Sequence, residues 1–198
     1  MRGSTGCSQH PAIETTTTHS DPSAREQVIS RRAPKFTDGA GTEENWASYS
    51  RAVIDITPPG RTPFRLWPDA LGATGVWMEP LAEPVVIVTA WNPGSILRPL
   101  ADNVARNRLL VDELDRAGVT RWPAVGRDPD TEYHEDGFAV SGLTLAEGVT
   151  LGARHGQVAV YVWTPAAWTV VSCSDDRCHS SGWRLTERLS DKAGPATF

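Results

Sequence analysis

The pattern of apolar and polar positions predicts one folded region between two polar ends. Residues 42–173 carry regular hydrophobic periodicities, whereas residues 1–41 and 174–198 are rich in polar residues, proline and glycine. Segments with few apolar side chains cannot offset the entropy cost of ordering their backbone. We therefore expect a single domain over residues 42–173, a disordered N-terminal tail and a flexible C-terminal tail.

Within residues 42–173, helical and strand periodicities alternate along the chain. The predicted helices cover residues 43–53, 99–117 and 144–156, and the predicted strands cover residues 53–56, 64–67, 84–91, 120–125, 138–141, 158–163 and 168–171. The apolar run at 84–91 is continuous, which is typical of a central strand buried on both faces. The order of elements predicts an α+β fold, in which three helices pack on a mixed β-sheet.

The loop Asn92-Pro93-Gly94-Ser95, which follows the apolar run, is the first candidate for a ligand site. Ligands favour the carboxyl ends of strands in open sheets that contain parallel strands. Gly94 permits close approach of a backbone, and Ser95 with free amides near the next helix could hold an anion. The alternative interpretation is an ordinary Asn-Pro turn that stops a strand.

The helix after this loop carries polar residues on its apolar face. Its apolar stripe at helical spacing consists of Leu100, Val104, Leu110, Val111 and Leu114. Asn103 and Asn107 fall inside the stripe, and Arg106 lies on its edge. Because buried amides need hydrogen-bond partners, the two asparagines either brace the loop or line a polar pocket beneath it.

A second group of candidate residues lies in the charged segment 127–136. A histidine beside carboxylates is suited to act as a general base, so His134 and Glu135 are the candidate catalytic residues. Arg127 is a candidate ligand for an anion. The alternative interpretation is a solvated charged loop.

We expect the two groups of candidates to share one site. A helix of the length of residues 99–117 is a normal crossover between parallel strands, so strand 120–125 is expected to pair parallel with strand 84–91. Arg127 then emerges beside Asn92. This arrangement predicts one concave, net-positive pocket that contains Asn92, Ser95, Arg106 and Arg127, with His134 or Glu135 at its rim.

Composition excludes several classes of function. The net charge of -5 argues against unspecific nucleic-acid binding, which requires an excess of Lys and Arg. No apolar run approaches the ~20 residues of a membrane span, and the N-terminal residues lack the apolar region of a signal peptide, so we expect a cytoplasmic protein. The spacing of Cys173, Cys178 and His179 is not a usual zinc pattern. No nucleotide-binding glycine motif is present, and we expect no metal or cofactor.

Several short stretches of the chain form a combination that is more specific than any one of them. They are residues 87–93 with Ser95, the trio Asn103, Arg106 and Leu110, and residues 125–127, 134–143, 156–159 and 171–173. Together they resemble the bacterial domain of unknown function family 3293, across roughly residues 46–173. The resemblance supports the domain limits and the choice of polar residues. It implies no activity, cofactor or partner.

The residues favour a small domain that binds a polar or anionic small molecule. The expected ligand-binding residues are Asn92, Ser95, Asn103, Arg106, Asn107 and Arg127. One alternative is an enzyme acting on a nucleotide-like or phosphorylated substrate, with His134 or Glu135 as the acid or base. Another is a module that binds protein through a sheet edge or exposed tryptophans. A pocket with a perturbed acid or base favours the enzyme, and a flat apolar patch favours the interaction module.

Overall fold

A closed β-barrel is the centre of the computed structural model, which describes residues 42–78 and 82–187. Within these residues the strands are β1 Val53–Ile56, β2 Phe64–Asp69, β3 Val85–Thr89, β4 Thr120–Arg127, β5 His134–Ser141, β6 Ala159–Trp163, β7 Trp168–Ser172 and β8 Cys178–Glu187. The helices are α1 Glu43–Arg51, α2 Leu100–Ala117 and α3 Leu145–Arg154, with a short 3-10 turn at Pro93–Ser95. The barrel order is β1-β2-β8-β7-β6-β3-β5-β4, and β4 pairs with β1.

The closed barrel corrects the predicted mixed sheet with helices packed on it. Every pair of neighbouring strands is antiparallel. Strand β4 does not pair with β3 as expected, because β5 lies between them and runs antiparallel to both. The apolar run of β3 is continuous although the sheet is not parallel. One face of β3 lines the barrel interior and the other packs under helices, so both faces are buried.

Strand β8 closes the barrel and corrects the expectation of a flexible tail from residue 174. It pairs with β2 on one side and with β7 on the other. Trp183 is fully buried in the barrel interior, with Leu185 packed against the same core. Polar residues alternate with these two and give the segment a tail-like composition. The expected tails at residues 1–41 and 188–198 lie outside the described residues.

Large aromatic side chains fill one end of the barrel. Trp163, Trp168 and Trp183 are at most 1% exposed, and the ring centroids of Trp163 and Trp183 lie 5.3 Å apart. Trp77, which follows β2, packs 4.6 Å from the ring of Trp163. An interior of eight strands is just wide enough for side chains or one small ligand. The tryptophans therefore leave no room for a ligand at this end.

Helices α2 and α3 cover the outer face of β3 and its neighbours. Leu110 and Leu114 of α2 are fully buried against this outer layer, whereas Leu100 and Val104 of the predicted apolar stripe are exposed. The predicted stripe is wrong at its N-terminal end, because there the helix face that packs on the protein carries Asn103, which is buried and bonded to Asn92, and not Leu100 or Val104. The described residues include no helix with the length and hydropathy of a membrane span.

Helix α1 lies across the other end of the barrel, which we call the mouth. Its first residue, Glu43, forms an ion pair of 2.8 Å with Arg177, which precedes β8. Its last residue, Arg51, forms one of 2.8 Å with Asp128, which follows β4. The Tyr49 hydroxyl makes a hydrogen bond with Ser95 after β3. Contacts to three separate loops thus hold α1 over the mouth.

The burial of Trp183 predicts the energetic weight of β8. Trp183→Ala should lower the free energy of unfolding by about 3–5 kcal/mol, because a large cavity opens beside Trp163. Trp67→Ala is the matched control, since Trp67 lies on the outer face of β2 in contact with Arg184; its expected loss is about 1 kcal/mol. Urea denaturation followed by circular dichroism measures both. Equal losses would show that β8 does not close the core.

Candidate functional site at the barrel mouth

A cavity of about 280 Å³ occupies the mouth of the barrel. Small residues on the inner faces of the strands leave this space, notably Ala124, Gly126, Gly137 and Ala159. Apolar contacts come from Ile54, Ile87, Val158 and the ring of Tyr161. Helix α1 supplies Asn45, Ser48 and Tyr49 from one helical face, and Ala52 follows its C-terminal end. The result is an apolar chamber with polar groups near its entrance.

Glu135 is the central polar group of this cavity. Its Oε1 accepts hydrogen bonds from the Tyr133 hydroxyl at 2.5 Å and from Asn92 Nδ2 at 2.8 Å. No described residue donates a hydrogen bond to Oε2. Burial raises the pKa of Glu135 above its usual value, and the hydrogen bonds from Tyr133 and Asn92 offset this only in part. The carboxyl group is thus fixed through one oxygen, and the other oxygen is available to a ligand.

Three tyrosines surround Glu135. Burial raises the pKa of Tyr161 and of Tyr49 above the usual value, and desolvation together with the charge of Glu135 does the same for Tyr133. Each hydroxyl therefore keeps its proton at neutral pH. The Tyr161 ring stacks on Trp168 with centroids 4.9 Å apart, and its hydroxyl makes no hydrogen bond to any described residue. Tyr161 is an unused donor on the cavity wall.

Asn92 holds the site together, and both polar atoms of its side chain make two hydrogen bonds each. Its Nδ2 donates to Tyr133 and Glu135, at 2.9 and 2.8 Å. Its Oδ1 accepts from the backbone amide of Arg98 and from Asn103 Nδ2, at 2.9 and 3.0 Å. Its own backbone amide donates to Asn103 Oδ1. A left-handed backbone with φ of 44° aims the side chain at Glu135, so Asn92 positions that carboxyl group.

The contacts of Asn103 and Asn107 on α2 favour a role in bracing the loop over a role in lining a polar pocket. Neither Asn103 nor Asn107 borders the cavity. Asn103 is buried against Asn92, whereas Asn107 is half-buried, accepts from the backbone amide of Ala90 at 2.9 Å and donates to the carbonyl of Asp136 at 2.8 Å. Asn107 therefore ties α2 to the end of β3 and to the start of β5.

Arg127 borders the mouth as expected, but its guanidinium is paired. Its Nε donates to Asp55 at 2.7 Å, and Arg65 binds the same carboxylate at 2.6 and 2.9 Å. Asp55 is only 2% exposed. In the strand register Asp55 lies opposite Arg65 and Arg127 lies opposite Val53, so all these side chains share the outer face of the barrel.

His134 and Glu135 lie on opposite faces of β5, because successive side chains of a strand alternate. Glu135 is opposite Gly126 on the inner face, and His134 is opposite Arg127 on the outer face. His134 is exposed and lines an outer groove with Arg65, Arg127 and Glu132. Of the two candidate catalytic residues, only Glu135 lies in the cavity.

The expected pocket is formed only in part, and the prediction of a net-positive charge is wrong, because Asp128 and Glu135 outnumber Arg127 on the lining. Asn92, Ser95, Arg127 and Glu135 meet at the mouth because β3 and β4 both run antiparallel to β5 and end on the same side. Arg106 is exposed on α2 and does not border the cavity. The sequence reasoning missed Tyr133, Tyr161 and Gln157. Of these, Tyr161 had a visible signal, since it alternates with valines along β6.

Gln157 and Gly156 complete the support of the loop from the side of α3. The Gln157 Nε2 donates to the carbonyl of Trp91 at 2.8 Å. The amide of Gly94 donates to the carbonyl of Gly156 at 2.7 Å.

The described residues contain no group of three or more His, Cys, Asp or Glu side chains placed to hold a metal ion.

The bracing role of Asn107 predicts a stability change. Asn107→Leu should lower the free energy of unfolding by about 1–3 kcal/mol, because the Ala90 amide and the Asp136 carbonyl lose their partner. Arg106→Leu, at an exposed position one residue earlier, should change it by less than about 0.5 kcal/mol. Denaturant titration gives both values. If the two variants behave alike, Asn107 does not brace the loop.

The environment of Glu135 predicts a pH-dependent stability. Because the folded-state pKa of Glu135 is raised, the folded protein holds this proton more tightly than the unfolded chain. Glu135 therefore destabilises the fold progressively as pH rises from the usual glutamate pKa through the folded value. Replacing it with the neutral Glu135→Gln should raise the melting temperature relative to the unaltered chain more at pH 8 than at pH 4.

The matched control for this measurement is Glu132→Gln, an exposed position in the outer groove. Thermal melts of the three proteins across the pH range provide the comparison. A constant offset for Glu135→Gln would contradict the burial of a charged carboxylate at this position.

The central part of the chain resembles one family of proteins. Residues 88–160 match the family model described as Protein of unknown function (DUF3293). The match lies within the range expected from the sequence, covers less than half of the chain and contains the Asn92 loop, α2, Glu135 and α3. Comparison with curated proteins and with solved structures gave no match. The chain is therefore similar to a family of unknown function over the segment that builds one wall of the cavity.

Proposed function

We propose that the protein binds a small polar molecule in the mouth of the barrel, next to the Asn92 loop. The proposal rests on the hydrogen bonding of Glu135. Two hydrogen bonds fix its Oε1, whereas no described residue donates a hydrogen bond to its Oε2. Burying a carboxylate in an apolar cavity costs stability. A ligand that donates an N–H or O–H group to Oε2 would offset part of that cost.

The charges around the cavity favour a neutral or cationic ligand over an anionic one. Arg127 is paired with Asp55 on the outer face, and Asp128 is paired with Arg51. Glu135 has no cationic partner among the described residues that line the cavity. An anion placed beside Glu135 would be repelled at short range in a poorly solvated site.

The size of the cavity limits the ligand to a compact molecule. Its volume of about 280 Å³ lies just below the range of about 300–1,000 Å³ that is usual for drug-sized ligands. Ile54, Ile87 and the Tyr161 ring would contact an apolar ring or short chain. The polar end of the ligand would then lie near Glu135 and Tyr133, close to the Asn92 loop.

A thermal-shift screen with compact neutral, cationic and anionic compounds tests this proposal. Compounds that bind the folded protein raise its melting temperature, and at a given concentration a tighter ligand raises it more. We expect neutral and cationic hydrogen-bond donors to do so. Mass spectrometry of the purified protein, before and after denaturation, would identify a ligand that remains bound. Glu135→Gln should weaken binding at least about tenfold, since a charge-assisted hydrogen bond is lost.

Two further variants make the screen specific for the mouth. Ala159→Leu should abolish binding, because the larger side chain occupies the cavity that Ala159 borders. Glu132→Gln removes the same charge from the outer groove and should leave binding unchanged. Binding that survives Ala159→Leu, or a hit set made only of anions, would overturn the proposal.

A further inference from the structure

We propose that the mouth site catalyses proton transfer on a small neutral carbonyl compound, with Glu135 as the base and Tyr161 as the hydrogen-bond donor to the carbonyl oxygen. The inference rests on the proposed function, because it requires that a small molecule enters this cavity. It adds a reaction to binding, and it assigns separate roles to two residues of the wall.

The placement of Glu135 suits a base that must return the proton it removes. Tyr133 and Asn92 fix Oε1, so the Oε2 lone pairs have a defined direction. Apolar and small residues such as Ile54, Ile87 and Gly137 line the same cavity, so a substrate that fills it would displace water that competes for the proton. Burial also brings the pKa of Glu135 closer to neutrality, where general-base catalysis is most efficient.

Tyr161 suits the role of donor to the oxygen on which negative charge develops. Tyr161 lines the same cavity as Glu135, and its hydroxyl has no hydrogen-bond partner among the described residues. Stacking on Trp168 fixes the direction of its ring. A donor that is already oriented and needs no reorganisation stabilises an enolate oxygen far better than bulk water does.

The reaction balances without a co-reactant. The Glu135 carboxylate removes a proton from the carbon next to the carbonyl of a β,γ-unsaturated ketone, and the C–H electron pair moves toward the carbonyl oxygen to form a dienolate. Tyr161 donates a hydrogen bond to that oxygen. The Glu135 carboxylic acid then returns the proton to the γ carbon, while the electrons reform the carbonyl and a conjugated double bond. The substrate is isomerised, and the enzyme returns to its starting state.

Other ionisable groups around the cavity belong to the pH dependence of this step. They are Tyr49 on α1, Tyr161 on β6, Tyr133 beside β5, Arg127 at the end of β4 and Asp128 directly after it. The arginine and the aspartate are each held in an ion pair. The tyrosines keep their protons at neutral pH because their pKa values are raised. Activity should therefore rise with pH as Glu135 loses its proton, with a midpoint above the usual glutamate value.

The test uses the full chain with β,γ-cyclohexenone as the probe, and the absorbance of the conjugated isomer reports the rate. Glu135→Gln should lower the catalysed rate at least about a hundredfold, in line with the usual contribution of a general base. Tyr161→Phe should lower kcat with little change in KM, because its hydrogen bond strengthens only as charge develops on the oxygen. Glu132→Gln should match the unaltered chain, and melting temperatures verify that each variant folds.

Different failures point to different proposals. If β,γ-cyclohexenone binds but isomerises no faster than with Glu135→Gln, catalysis is overturned and binding stands. If compounds from the thermal-shift screen bind at the mouth but this ketone does not, the carbonyl class is wrong and the binding function again stands. If no compound binds, both proposals fail together.

Discussion

The sheet closes on itself because β8 pairs with β2 along one edge and with β7 along the other. Without that pairing, the inner faces of β1 and β2 would have no opposite wall, and Trp183 would lose its contacts with Trp163. Closure also satisfies the backbone groups that an open sheet would expose at its two edges. The interior that results is large enough for a plug of tryptophans and, at the mouth, for a cavity.

The polar site depends on this closed wall but is organised by one loop. Asn92 receives two hydrogen bonds from the side of α2 and donates two toward Tyr133 and Glu135. Its left-handed backbone is a conformation that asparagine tolerates better than most residues. Through this loop, the position of α2 outside the barrel determines the orientation of the Glu135 carboxyl group inside it.

Local periodicity predicted most of the elements, because each depends on neighbours in sequence. Thr144 and Glu147 form a capping box at the start of α3, and Gly118 ends α2 in a left-handed conformation. Closure depends on β8, in which polar residues alternate with Trp183 and Leu185. The polar composition of this segment is typical of a tail, so the strand was not predicted. The parallel pairing of β3 and β4 was wrong because no local signal shows that β5 lies between them.

The candidate site, like the fold, was predictable where it depends on local sequence and not where it depends on strand pairing. The predicted pocket consisted of Asn92, Ser95, Arg106 and Arg127, with His134 or Glu135 at its rim. Strand ends bring all of these except Arg106 and His134 to the cavity. The sequence could not separate His134 from Glu135, because which of two adjacent residues faces inward depends on the strand register. The ion pair of Arg127 with Asp55 could not be predicted either, since the two residues are distant in sequence.

The position of α1 has a consequence for the timing of events at the mouth. The strand walls of the cavity belong to a continuous hydrogen-bonded ring, whereas the α1 wall is held by ion pairs at its two ends, by the hydrogen bond of Tyr49 and by the buried ring of Trp46. A short helix held by side-chain contacts opens at a lower free energy than the strands of the core do. Release of α1 would therefore widen the entrance of the cavity on a timescale separate from the lifetime of the barrel.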